Sequence, residues 1–318
     1  MAIWNLEPIR ANVHGHFSRD LKPVLDIASG DTVIFRTLDA RWYVEPHASL
    51  DSPEPAKLEP RDPELDSGHC LVGPVKISGA TPGMVLEVQI NEITVGSWGW
   101  TTAGFPHPVH QWMGIEDKFT YHLWALDAVK GVGRNQHGHE LKLRPFMGVM
   151  GMPPDIEGIH QTGPPRVTGG NLDCKELVAG TSLFLPIEVE GGLFSVGDGH
   201  AVQGDGEVCV TAIECPMDRV SLTFRLHEDR SLNTPRIKTP TSWITLGVDE
   251  DLQKATFKAL EDMVDLMGEQ YGLSRPDAMV LASLVVDMRI TQIANGVLGV
   301  HAVLPDDAIG GGSRGSLD

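Results

Sequence analysis

"GMVLEVQINEITV" (83–95) decides the fold class. Val85, Glu87 and Gln89 alternate with Leu86, Val88 and Ile90, so one side of an extended chain is apolar and the other largely polar. That period of two reads as a half-buried β-strand. The turn chemistry of "GATPG" (79–83) opens it. Outward from there the same grammar repeats. "DTVIFRTLDA" (31–40) follows the turn Ser29-Gly30-Asp31. Strands resume with "LVAGTSLFLPIEVEGGLFSVGDG" (177–199), "EVCVTAIEC" (207–215) and "RVSLTFRLH" (219–227), each bounded by Gly, Pro or Asp. The 318 residues hold 35 glycines and 22 prolines, which suits many short strands joined by many turns better than a helical bundle.

The period changes near the C-terminus. "DEDLQKATFKALEDMVDLMGEQYG" (249–272) sets Leu252, Ala255, Leu260, Met263, Val264 and Met267 at helical spacing, with Gly272 to close it. "SRPDAMVLASLVVDMRITQIANG" (274–296) predicts a second, mostly buried helix with Ser274 as N-cap and Pro276 in its first turn. Two stretches read as irregular. The excursion 45–69 carries five prolines and many charges, a long surface loop. Residues 96–170 are rich in Trp, Pro, Gly and His, as functional loops are. The tail "GGGSRGSLD" (310–318) reads as disordered.

Charge narrows the partners. Lys and Arg number 25 against 43 Asp and Glu, a formal net charge of −18. Such a field repels phosphate backbones and anionic lipid, so nucleic acid and membrane surfaces are not expected partners, and a neutral or cationic small substrate is favoured. No apolar run approaches the roughly 18 residues that span a bilayer. The N-terminus "MAIWNLEPIR" shows no signal pattern. Cys70, Cys174, Cys209 and Cys215 lack CxxC spacing and read as free thiols of a cytoplasmic protein.

The chemistry concentrates in "GDGHAVQGDGE" (197–207). Asp198 and His200 stand at i, i+2, as do Asp205 and Glu207, and "GGNLD" (169–173) adds Asn171 and Asp173. Residues two apart in an extended chain project to one side, and glycine lets a ligand come close. A divalent ion takes carboxylate oxygen and imidazole nitrogen together, with about three protein ligands in a catalytic site. Glu207 is then free to act as general base. The plainer reading is a pair of tight turns whose aspartates cap their own backbone. His14 and His16 read as structural, and Asp39 as either a ligand or a solvated strand end. Outside the tail 310–318, GxSxG, GxGxxG, GxxxxGK[ST], HExxH and the EF-hand spacing are all absent.

"GGNLDCKELVAGTSLFLPIEVEGGLFSVGDGHAVQGDGEV" (169–208) closely resembles the acetamidase/formamidase family of amidohydrolases. That family carries a GGN-[LMI]-D block, a strand ending in Leu-Pro, and a G-D-G-H-x-x-Q-G-D-G-E block. Further segments are similar at 23–40, 69–93, 145–154 and 287–305, nearly the whole chain. Here "GDGHAVQGDGE" has Val202 where Ala is frequent, "GGLFS" (191–195) stands for "GALFS", and 96–146 matches less well. The resemblance implies hydrolysis of formamide or acetamide to ammonia and a carboxylic acid, and a homo-oligomer. It also implies a mainly β fold, a sandwich or barrel-like body with a smaller α+β C-terminal portion carrying two helices. The corresponding division is residues 1–170, then 171–309 with the site at the junction, then the tail. Carried over by position, Glu207, His200 and Asp198 are the catalytic candidates and Asn171 and Gln203 the substrate-binding ones. Asp173, Asp198, His200 and Asp39 are the metal ligands, for a divalent ion, zinc or calcium. His301 is a further candidate, and Cys174 beside Lys175 an alternative nucleophile. A rival reading is a non-catalytic, metal-stabilised β-sandwich that binds a ligand on an aromatic platform at 96–110.

Overall fold

The computed structural model describes residues 1–49 and 52–310, so most of the tail reading, 311–318, lies outside the described residues. The chain is mainly β. Its helices among the described residues are α1 (Pro108–Trp112), α2 (Leu252–Tyr271) and α3 (Arg275–Val285). None is long and apolar enough to cross a membrane.

The largest sheet runs, edge to edge, through Ile3–Leu6, Thr32–Thr37, Met217–His227, Val85–Val95, Ser182–Pro186, Arg236–Lys238, Ser242–Asp249, Val297–Pro305 and Asp287–Asn295. The strand Val85–Val95 is central, and its alternation is physical: Leu86, Val88 and Ile90 are fully buried while Glu87 and Gln89 are partly exposed. The phase would fail after Ile90, because Ile93 and Val95 are buried too. A bulge corrects it. Ser221 pairs with Glu92 and Leu222 with Ile90, leaving Asn91 as the extra residue that turns the strand back onto its apolar face.

A second sheet orders Gly169–Asn171, Phe146–Gly151, Phe194–His200, Leu71–Ile77 and Val13–His14, with Leu25–Ile27 parallel to Leu71–Ile77. The two sheets share one apolar cluster that reaches from Leu6 to Val303. Phe194 of the second meets Phe224 of the first with ring centroids 5.0 Å apart. Burying such aromatic pairs dominates core energetics.

Three sequence expectations change. Residues 96–142 are not structureless: Trp98–Ala103, Thr120–Asp127, Val132–Asn135 and Glu140–Lys142 form an antiparallel sheet. Glycines and histidines interrupt their apolar pattern, so composition suggested loops. The predicted helix 274–296 ends at Val285, and Asp287–Asn295 is a strand paired with Val297–Pro305. Ile290, Thr291 and Ile293 are β-branched residues that pack well on a pleated surface. Within α3 only Ala278 and Ala282 are buried, while Val280 and Leu284 face out. Finally, "EVCVTAIEC" is a loop rather than a strand; Glu207 and Val210 adopt positive φ, and only Glu214 makes isolated bridges.

Helix α2 forms as its signals require. The Asp251 side chain accepts from Lys254 N at its start, and Gly272 closes it in the left-handed region at φ 66°. Its buried face, Ala255, Ala259, Met263 and Met267, lies on the strands Ser242–Asp249 and Val297–Pro305 as a second apolar cluster. A methyl at Gly247 would fall 2.0 Å from the Ala255 carbonyl oxygen, so the helix sits directly on that strand. Arg236 then ties strand to helix, with Nη2 and Nε donating to Asp262 at 2.7 and 2.9 Å and Nη1 to Glu269 at 2.7 Å.

Candidate active site

The strand Phe194–His200 carries Asp198 and His200, and the strand Gly169–Asn171 ends in Asn171 with Asp173 just beyond it. Between them runs Phe146–Gly151. Its Gly148 is where the three side chains meet: a methyl there would lie 2.5 Å from Asp198 Oδ2 and 2.8 Å from both Asp173 Oδ1 and His200 Cε1. On the other face, methyls at Gly197 and Gly199 would strike the carbonyl oxygens of Cys70 at 2.3 Å and Cys215 at 2.7 Å. The "GDGH" glycines thus let neighbouring chains close in, while the residues between them point into the site.

The imidazole of His200 stands among carboxylates. Its Nε2 is 3.3 Å from Glu214 Oε2 and 3.4 Å from Asp198 Oδ1, and its Nδ1 is 3.9 Å from Asp173 Oδ1. Phe146 meets the ring edge-on at 5.0 Å. Glu207 shares a second cluster with His200 and Glu214; in each cluster the ligand atoms lie within 4.8 Å of one another. All five residues are buried: His200 and Asp173 at 1%, Asp198 at 3%, Glu214 at 4% and Glu207 at 6% exposure. Asp173, Asp198 and Glu207 hold positive φ of 47°, 58° and 44°. Such backbone persists where the surroundings over-determine it, commonly at functional sites.

Burial governs the protonation of this cluster. It pushes the Asp173 carboxyl up to about 7 against the pull of His200. It pushes Glu207 well above the carboxylate range, with Asp173 adding to the effect, and it raises Glu214. Asp198 goes the other way: burial opposes its charge, but His200 and His69 hold it below its ordinary value. Burial also resists a charge on His200, yet Glu214 and Asp198 outweigh it and raise that imidazole well above its usual value. Four acids around one base cannot all be buried ionised without further positive charge, because an uncompensated buried charge is expensive.

Neighbours hold the acids in place. Asn295 Nδ2 donates to Asp173 Oδ2 at 2.7 Å, Gln203 Nε2 donates to the Asp173 carbonyl at 2.8 Å, and Ala212 N donates to Glu214 Oε1 at 2.9 Å. Gly206 pairs with the strand Asp287–Asn295, donating to Thr291 O and accepting from Ile293 N, both at 3.0 Å. The C-terminal portion therefore pins the loop that carries Glu207. Above the cluster opens a pocket of about 530 Å³, lined by Asn171, Asp198, Glu207, Glu214 and Asn295 with Trp100 and Phe105. The excursion 45–69 contributes Lys57, Arg61 and His69 to the same wall.

Sequence-predicted residues sort by place. Asn171, Asp173, Asp198, His200 and Glu207 come together. Gln203 is tied to the Asp173 backbone and does not line the pocket. Asp39 is not brought into either ligand cluster. Its two oxygens accept from Tyr43 N and Trp100 Nε1, both at 2.7 Å, and burial pushes it up to about 7. His301 bonds Thr291 through Nδ1 at 2.8 Å, and burial lowers it to about 4. His14 bridges the His16 carbonyl and Ser195 Oγ, a structural arrangement. Burial pushes the Cys174 thiol up to about 12, which leaves almost no thiolate, and Cys174 does not face the pocket. Glu214 and Asn295 were not read from the sequence. Both arrive by tertiary contact, Glu214 through bridges to Trp100 and His200.

A family model described as the acetamidase/formamidase family matches residues 5–162 and 156–307. The chain belongs to that family. Two solved structures share its fold: a predicted acetamidase/formamidase from Thermoanaerobacter tengcongensis and an acetamidase from Bacillus halodurans. The first is 27% identical with a TM-score of 0.82 and covers 96% of this chain and 97% of its own; the second is 28% identical with the same TM-score and covers 95% and 97%. Among curated proteins, an acetamidase of Mycolicibacterium smegmatis is 27% identical over 213 residues, 46% of this chain and 51% of its own. The matches span about half to three fifths of the length of the curated family relatives.

Proposed function

We propose that the chain hydrolyses the carboxamide of a small amide, releasing ammonia and a carboxylate. The observation that carries this reading is the buried set of one imidazole and four carboxyls, of which Asp198, Glu207 and Glu214 line the pocket, in a chain whose family includes acetamidases and formamidases. Amide bonds resist water, so the site must activate water, polarise the carbonyl and protonate the leaving nitrogen.

A divalent cation fits the donor set. Asp173 Oδ1, His200 Nδ1 and Glu214 Oε2 are buried without a hydrogen-bond partner, and the clustered acids call for positive charge. Asp173, Asp198 and His200 would hold it, with Glu214 as a fourth donor. The imidazole favours a borderline ion such as zinc over calcium, whose ligands are oxygens. When bound, such an ion supplies Lewis-acid polarisation and lowers the pKa of water towards 7. The protein's part is distinct. Burial and Asp173 favour the protonated form of Glu207; ionised once positive charge offsets the neighbouring acids, it would take the proton from the attacking water and return it to the leaving nitrogen. Asn171, whose buried Oδ1 has no partner, receives the substrate's amide N–H. Asn295 and Gln203 keep Asp173 oriented.

Ammonia release from formamide and acetamide, before and after chelation, tests the reading. Activity that falls on chelation and returns with one divalent ion supports it. His200→Ala and Glu207→Gln should each lower kcat by about a hundredfold or more while the protein still melts cooperatively. Near-normal turnover in His200→Ala would remove the metal assignment, and no ammonia from any amide would remove the hydrolase assignment.

A further inference from the structure

The pocket is larger than formamide or acetamide requires. Acetamide has four non-hydrogen atoms, and at about 30 Å³ for each water-sized atom it would fill roughly 120 Å³ of the 530 Å³. The remaining space has a definite polarity. Carboxyls lie at the floor, whereas the outer wall carries Arg41, Lys57 and Arg61. Lys57 is neutralised by Glu54 at 3.1 Å.

The two arginines are different. Arg41 donates from Nη1 to Tyr121 Oη at 2.7 Å and lies 4.6 Å from the Trp100 ring centroid. Arg61 rests 5.0 Å over Trp42, gives Nη2 to the Asp66 carbonyl, and has a buried Nε with no partner. Among the described residues neither guanidinium has a carboxylate within 4.0 Å, although the chain carries an excess of acids. Arg41 feels Tyr121 and Tyr43 first and Glu214 after them, and its own charge is felt by Asp39 and Glu54, none of which pairs with it as an ion. Guanidinium forks match planar oxyanions, and aromatic stacking holds each fork in a fixed direction. The overall negative charge favours neutral or cationic substrates; the outer wall reverses that preference locally.

From this wall, and resting on the amide-hydrolase reading, we infer that the preferred substrate is an amide whose acyl group ends in a carboxylate, the monoamide of a short dicarboxylic acid. The carboxamide sits at the acidic floor and the distal carboxylate at Arg61, with Arg41 beside it. Hydrolysis breaks the C–N bond and places the water oxygen on the acyl carbon. The proton goes to the departing nitrogen, giving a dicarboxylate and ammonium.

The experiment compares kcat/KM for ammonia release from glutaramate and from pentanamide, which match in chain length and differ in the terminal charge. Acetamide serves as reference. The expected result is a preference for glutaramate of about tenfold or more, as charge-assisted hydrogen bonds give. That ratio should collapse towards one in Arg61→Gln and be kept only in part in Arg61→Lys, which retains the charge but not the stacked fork. Because the readout is a ratio on one variant, a folding defect lowers both rates and leaves it standing. Equal or better use of pentanamide by the wild type, with acetamide still cleaved, overturns this inference alone. No ammonia from any of the three overturns it together with the hydrolase reading.

Discussion

A methyl group at Gly148 would lie within 2.8 Å of Asp173, Asp198 and His200 together, so this glycine is required by what surrounds it and not by its own backbone freedom. Gly148→Ala is therefore expected to displace all three side chains at once. A displacement near 1 Å at a catalytic constellation costs on the order of a hundredfold, so ammonia release should fall by about that factor, with binding of zinc weakened in calorimetry. Unchanged zinc affinity would show that the three side chains do not act as one site. At Glu214 the prediction is sharper. Glu214→Gln keeps the volume and the Ala212 N–H contact while removing one carboxylate from His200, so zinc affinity should drop by about ten- to a hundredfold, the range that lost metal-site contacts give. The sequence showed the acids at 173, 198 and 207 because they stand in glycine-rich stretches, after Gly169-Gly170, between Gly197 and Gly199, and after Gly206. Glu214 carried no such mark: its partner His200 is supplied by a single bridge between two segments.

At the level of elements, the C-terminal helices and the last two strands act as a brace. Asp262 is 9% exposed and accepts two bonds from Arg236, which also holds Glu269. Removing one partner of a buried pair leaves the other charge uncompensated, at about 3–5 kcal/mol. Arg236→Ala should lower stability by roughly that amount, seen as a lower urea midpoint, whereas a loss under 1 kcal/mol would show that the fork is solvated in solution. The brace reaches the chemistry through Asp287–Asn295, which pairs with Gly206 and sends Asn295 to Asp173. Helix α2 was legible from its caps and its apolar stripe. The end of α3 was not, because "VVDMRITQIAN" (285–295) has both a helix-compatible apolar density and a β-branched character. The pairing with Val297–Pro305 settles it.

Across the whole molecule, His14 is one source of the pH response on the acid side, beside His301, which burial lowers to about 4. His14 is 7% exposed, and burial lowers it to about 3 from 6.5. The folded state thus keeps this imidazole neutral where the unfolded chain binds a proton. Stability is fully present above pH 6.5 and is lost as pH falls from 6.5 towards 3, at about 1.4 kcal/mol per pH unit from this group. Urea unfolding of wild type and His14→Gln at pH 6.5 and pH 5 should show the smaller loss in the variant; equal losses would assign the acid sensitivity elsewhere. By itself the sequence determined the mainly β class, the central strand 83–95, helix α2 and the residues Asn171, Asp173, Asp198, His200 and Glu207 as one group. The strands and the helix rest on local period and caps, and the five residues on glycine-rich spacing together with the family resemblance of 169–208, none of which needs knowledge of neighbours. Only the tertiary structure decided that Glu214 and Asn295 join them and that Asp39 instead anchors Trp100. It alone also made 96–142 a sheet and set Arg61 of the proline-rich excursion in the pocket wall with Arg41, neither with a carboxylate partner among the described residues. Each of these depends on which distant backbone lies alongside, and that is fixed by packing the sheets against each other.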